Sequence, residues 1–238
     1  MDTEREGPGP GPAGPDGNRG SPAALRGGNA AAIIDAMRGL ALLFAVVVCF
    51  AVVAATSAPG ARPPVKATFV GDSVAASITY APLAQAELRR GVAVRLDLQV
   101  CRRLVTPSCV FQGSAPSSAL QAVRSRGRSL GDVLVVNVGY NEAGEGYGQG
   151  IDRVVRTAFA QGAKGVVWVT LRETSSNYRR TNVAIKAAAR RWPQLVVADW
   201  NGYSRGKPWF GHDGLHLTVR GAEALARLVR TDILEAAA

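Results

Sequence analysis

Five short runs of apolar, largely β-branched residues mark the chain beyond residue 65: KATFV (66–70), VAVRLDL (92–98), DVLVVNV (132–138), GVVWVTL (165–171) and LVVADW (195–200). The first, third and fourth lack the polar alternation of a half-exposed strand. They carry the signature of strands covered on both faces. Helix-like stretches lie between them. Residues 74–90 are Ala- and Leu-rich and end at Gly91, and residues 116–127 begin with Pro116 and end at Gly127. Residues 149–161 stop at Gly162, residues 178–191 stop before Pro193, and residues 219–236 close the chain. Strand and helix alternate throughout, which predicts a parallel sheet with helices on both faces. Right-handed crossovers leave few topologies. The expected fold is a flavodoxin-like, three-layer α/β/α arrangement with five strands in the order 2-1-3-4-5.

A different pattern precedes these elements. Residues 1–31 are rich in Gly, Pro and Ala and hold little to bury, so they read as disordered. Gly39 to Ala55, GLALLFAVVVCFAVVAA, then runs 17 residues without a charge, near the lower limit for a bilayer span. A buried core helix fits less well, because the segment precedes the domain and has no amphipathic face. The expectation is a tail (1–38), a transmembrane signal anchor (39–58), a Pro-rich linker (59–65) and one folded domain (66–238). The tail would lie inside and the domain outside the cytoplasm. A cleaved signal peptide with small residues near Ala58 is the alternative. The leader is long for that role.

Cysteine use agrees with export, and the charge bears on partners. The net charge of +10 is uneven: residues 1–58 hold four basic and five acidic residues, and the remainder holds 24 and 13. Such a domain attracts polyanions in general, envelope polymers and membrane surfaces among them, although an ordinary solvated basic surface is the simpler reading. No basic stretch is interleaved with aromatics, so nucleic acid is not an expected partner. Cys49 lies in the apolar segment, whereas Cys101 and Cys109 bracket RRLVTPS in a predicted loop. Outside the cytoplasm that pair is expected to form a disulfide.

The two histidines of the chain, His212 and His216, lie together in FGHDGLHLT (210–218), with Asp213 between them. Four apart, they would share a face if helical. Gly211 and Gly214 make the stretch a loop, and no third ligand recurs at a recognisable spacing, so no metal is expected. In a parallel α/β sheet, ligands bind outside the carboxyl ends of the strands. Polar residues gather there: Gly71-Asp72-Ser73 after the first strand, Gly139-Tyr140-Asn141-Glu142 after the third, and Asp213 to His216 beyond the fifth. A serine needs a base to be a nucleophile, and a histidine held in one tautomer by an acid is such a base. Asn141 could donate to an oxyanion. Arg172 and Glu173, after the fourth strand, face the pocket or form a surface ion pair. GEGYGQG (144–150) lacks a phosphate-loop ending and reads as a loop bordering the site. Trp200 and Trp209 flank the histidine loop, as pocket walls or as packing.

These pieces resemble the SGNH (GDSL-type) hydrolase family over about residues 66–236. Gly71-Asp72-Ser73 and Asp213-Gly214-Leu215-His216 match its first and last blocks in type, order and position. Gly139-Tyr140-Asn141 matches the third block, with Glu142 where the family has Asp. The second-block glycine is matched by Gly113, by position alone. The resemblance implies Ser73 as nucleophile, His216 as base and Asp213 as its orienting acid. It also implies an oxyanion hole from the Ser73 and Gly113 N–H groups with the Asn141 side chain. The function so implied is an extracytoplasmic serine esterase without a cofactor. Its substrate would be an ester, such as an acylated envelope glycan, a lipid or a small ester. An O-acyltransferase with the same triad is one alternative, and an inactive envelope-binding domain is another. The sequence carries no signal for oligomeric state.

Overall fold

The computed structural model describes residues 63–142 and 146–238. The expected tail, the anchor segment 39–58 and most of the linker lie outside these residues. No helix among the described residues is long and apolar enough to cross a membrane.

Five parallel strands form one sheet: β1 (Val65–Gly71), β2 (Val92–Leu98), β3 (Val133–Asn137), β4 (Gly165–Val169) and β5 (Leu195–Ala198). Their order is β2-β1-β3-β4-β5, as expected from the alternating pattern. Among the described residues seven α-helices accompany them: α1 (Ser73–Ala76), α2 (Pro82–Leu88), α3 (Ala119–Arg126), α4 (Tyr147–Ala160), α5 (Ser176–Arg191), α6 (Trp200–Tyr203) and α7 (Val219–Ala236). Helices cover both faces, so alternate strand residues enter two separate cores. Ala67, Phe69, Val133, Val135, Val167 and Val169 pack with α2 and α7. Val70, Leu134, Val136, Val166 and Trp168 pack with α3, α4 and α5. Every residue of β3 and β4 is buried, which explains their continuous apolar runs.

The helix expected over 74–90 is broken. α1 ends after one turn, a 3-10 turn covers Ser77–Tyr80, and Pro82 starts α2 afresh. Proline has no N–H to continue the preceding helix and suits a first helical turn. The last strand is shorter than its apolar run. Asp199 leaves it and caps α6, its carboxylate accepting from Gly202 N–H. That short helix was not expected. Gly71 shows why the first strand ends where it does: a Cβ there would lie 2.6 Å from Ala75 Cβ and 2.7 Å from Leu98 Cδ2. Only glycine lets α1 turn so tightly over the ends of β1 and β2.

Candidate active site

Three loops at the carboxyl end of the sheet carry the polar residues singled out in the sequence. The first is the β1–α1 junction. Asp72 is fully buried and caps α1, its Oδ1 accepting from Val74 N–H at 3.1 Å. Its Oδ2 accepts from the N–H groups of Gly139 and Tyr140 at 3.1 and 3.2 Å. One carboxylate thus ties the turn before Ser73 to the loop before Asn141. Burial pushes the Asp72 carboxyl up to about 7, against the three N–H donors, which pull it down. Ser73 is the first residue of α1, where an N–H has no acceptor within the helix.

The loop before α7 supplies the base. His216 Nε2 lies 3.1 Å from Ser73 Oγ, and His216 Nδ1 lies 2.6 Å from Asp213 Oδ2. Asp213 Oδ1 accepts from Leu215 N–H at 2.9 Å and from His216 N–H at 3.0 Å. Three donors on one carboxylate fix its orientation. The hydrogen bond from His216 holds the Asp213 carboxyl well below the usual range. With Asp213 ionised, the Nδ1 proton stays on His216 and leaves Nε2 free to face Ser73 as an acceptor. The loop is pinned from outside: Arg172 donates to the Gly214 carbonyl, and its guanidinium lies 3.7 Å from the Phe210 ring centroid. The side chains of His216 and Asp213 are 49% and 40% exposed, so the pair opens to solvent.

The third loop follows β3. Asn141 Nδ2 donates to the Arg102 carbonyl at 3.3 Å, and the Asn141 carbonyl accepts from Arg103 Nε at 2.9 Å. Glu142 accepts from Leu104 N–H, and burial raises its carboxyl. Glu142 therefore braces the β2–α3 loop. Tyr140 lies beneath, its hydroxyl accepting from Arg172 N–H at 2.8 Å. Gly139 has φ +152, and a Cβ there would lie 2.8 Å from Leu171 Cδ1.

The structure brings Ser73, His216 and Asp213 into one hydrogen-bonded chain. Asn141 stands on the neighbouring loop. Gly113, at φ +77, makes none of the hydrogen bonds described above. It occupies an exposed turn between Phe111 and Ser114, which pair with each other. His212 is exposed. Among the described residues, no group of three or more His, Cys, Asp or Glu side chains could hold a metal ion. Cys101 and Cys109 form the expected disulfide. Trp200 is fully buried and stacks on Trp209 at 5.7 Å, which makes this pair packing. Glu173 accepts from Asn182 Nδ2 and pairs with Arg179 at 3.7 Å. A cleft of about 540 Å³ borders the Asn141 loop, lined by Gly139, Glu142, Gly146, Gly148, Asn177 and Arg180 among others.

No protein-family model and no curated protein matches the chain. Solved structures do. A carbohydrate acetylesterase family member from Sinorhizobium meliloti superposes with a TM-score of 0.56 at 14% identity, over 72% of this chain and 98% of that one. A protein from Agrobacterium tumefaciens str. C58 assigned as an arylesterase gives 0.56 at 13% identity, over 71% and 98%. The psychrotrophic esterase EstA from Pseudoalteromonas sp., in a structure inhibited by monoethylphosphonate, gives 0.52 at 13% identity, over 71% and 96%. This chain shares the fold of these esterases. At such identity the likeness carries the fold alone, and the chemistry rests on the residues described above.

Sequence reasoning gave Asp72 no role beyond its motif. Its type and place, immediately before the nucleophile, were the available signal. The pinning of the histidine loop by Arg172 depends on a contact 42 residues away in sequence, and no local pattern announces it.

Proposed function

We propose that this chain is a serine esterase of the SGNH type. The observation that carries the reading is the relay from Ser73 Oγ through His216 to Asp213, with distances of 3.1 and 2.6 Å. In the proposed reaction Ser73 Oγ attacks the ester carbonyl carbon while His216 Nε2 takes its proton. The carbonyl oxygen becomes an oxyanion, which the Ser73 N–H and the Asn141 amide stabilise. The C–O bond to the leaving alcohol then breaks, and His216 returns the proton to that oxygen. Water attacks acyl-Ser73 with His216 again as base, and the acid departs with Ser73 regenerated. Asp213 keeps its negative charge throughout and stabilises the imidazolium as it forms.

The open Ser73–His216 pair and the polar cleft beside Asn141 suit a short acyl group on a hydrophilic alcohol. The acetylesterase and arylesterase among the structural neighbours are in keeping with that class. An O-acetyl group on an envelope glycan is the substrate we favour. Residues 39–58 would tether the domain outside the cytoplasm, where the Cys101–Cys109 bond persists.

The test is hydrolysis of 4-nitrophenyl acetate and of an O-acetylated glycan by the full chain in detergent. Wild type should release acetate from both, and Ser73→Ala and His216→Ala should each lose nearly all turnover. Because the two act as a unit, the double variant should be little worse than either single one. Undiminished turnover in Ser73→Ala would overturn the reading.

A further inference from the structure

Cys101 has φ +69, in the left-handed region that a side chain disfavours. It is one of two non-glycine residues described at positive φ, the other being Gln112 in the exposed turn. Cys101 stands beside the catalytic loops. β2 pairs with β1 so that Leu98 lies level with Gly71, and Gln99 N–H donates to the Gly71 carbonyl at 3.0 Å. The chain therefore leaves the sheet next to Asp72 and Ser73 and passes through Cys101 to Arg102, whose carbonyl receives the Asn141 amide. Around this bend several groups are tied. Arg102, 2% exposed, pairs with Asp97 and donates to the Ser117 carbonyl. Arg102 N–H donates to Gln99 carbonyl, Arg103 N–H to Ser108 Oγ and Leu104 N–H to Glu142. Cys101 N–H donates to no described residue, while its carbonyl accepts from Cys109 N–H across the disulfide-closed loop.

We propose that Cys101 takes the place the sequence pattern gave to Gly113. The disulfide to Cys109 holds residue 101 in the left-handed conformation, which turns the Arg102 carbonyl toward Asn141 and leaves the Cys101 N–H as a further donor to the oxyanion. In this role the disulfide is part of the active site, and turnover depends on its oxidation. The inference rests on the esterase reading above. The conformation demanded at 101 is one glycine adopts freely. A glycine there should do the disulfide's work without the disulfide, and an alanine should not.

The experiment compares kcat and KM for 4-nitrophenyl acetate in the full-length chain. Its four arms are oxidised wild type, wild type reduced by dithiothreitol, Cys101→Ala/Cys109→Ala and Cys101→Gly/Cys109→Ala. Thiol alkylation and intact mass verify the redox state, and thermal unfolding verifies the fold. Reduction and the alanine pair should each lower kcat by about 10–100-fold, the scale of a displaced or lost oxyanion donor, with KM within about threefold. The glycine pair should recover most of kcat, although both pairs lose the same cross-link and similar thermal stability. Neither pair should respond to reductant. Full kcat in the reduced wild type, or equal kcat in the glycine and alanine pairs, overturns the inference and leaves the esterase reading standing. Oxidised wild type without Ser73-dependent turnover overturns that reading, and the inference with it.

Discussion

Replacing Asn141 by alanine separates a donor to the transition state from a brace in the fold. The side chain makes one recorded hydrogen bond, from Nδ2 to the Arg102 carbonyl, and at 3.3 Å it is long. Losing it should cost about 0.5–1.5 kcal/mol of stability. In a domain of this size that lowers Tm by roughly 1–6 °C. The bond from Arg103 to Asn141 uses the main-chain carbonyl and survives the substitution. The catalytic loss should be far larger. The amide has a second N–H, and removing one oxyanion donor raises a barrier by about 2.7–4 kcal/mol, or 10²–10³ in kcat. The donor acts on charge that develops only in the transition state, so KM should change little. Asn141→Asp keeps the volume and replaces the donor with an acceptor, and its kcat should fall at least as far. The assay is steady-state hydrolysis of 4-nitrophenyl acetate, with urea unfolding on the same preparations. If kcat of Asn141→Ala stays within twofold while Tm falls, the residue is a brace and its place in the oxyanion hole is refuted.

Asp213→Asn should lower kcat by about 10⁴, because an amide favours the wrong imidazole tautomer, whereas His212→Ala and a chelator should have little effect. Equal losses at His212 and His216, together with inactivation by chelator, would indicate a metal site. Asp72→Ala leaves the N–H groups of Val74, Gly139 and Tyr140 without their acceptor. At roughly 1–3 kcal/mol for each bare buried donor, urea unfolding should show a loss of about 3 kcal/mol or more, and a loss below about 1 kcal/mol would contradict the bridging role. Asp232 in α7 is buried with Oδ2 lacking a partner, and burial, with Glu235 nearby, raises its carboxyl to about 6. A raised carboxyl contributes stability that is fully present below the unfolded value near 3.8 and is lost as pH rises through about 6. Asp232→Asn should therefore raise Tm relative to wild type at pH 8 and lose that advantage at pH 4. An advantage independent of pH would contradict the assignment.

Much of this architecture was legible in the chain because burial on both faces leaves an unbroken apolar run. KATFV, DVLVVNV and GVVWVTL announce β1, β3 and β4, and the strand order follows from their alternation with helices. Boundaries were less legible where a capping side chain competes with the strand: Asp199 ends β5 and opens α6 inside what reads as one apolar run. The candidate catalytic pieces were visible as motifs, since Ser73 and Asn141 each follow a strand end and His216 lies in the loop before the last helix. Gly113 was placed by position and residue type alone; its φ of +77 is one that glycine adopts freely. The contacts of Asp72 and Arg172 span 67 and 42 residues, beyond any local pattern.

The central claim is that Ser73 carries the acyl group, and an intact-mass experiment tests it most directly. The full-length protein is treated with an alkyl fluorophosphonate, digested and mapped, alongside Ser73→Ala and His216→Ala. The account predicts one phosphonyl adduct, located on Ser73. It predicts no adduct in Ser73→Ala and labelling slowed by at least about 100-fold in His216→Ala, the scale of a lost general base. Ester hydrolysis should fall in proportion to the labelled fraction. Hydrolysis that persists in fully labelled protein, or an adduct on another residue with Ser73 unmodified, would contradict it.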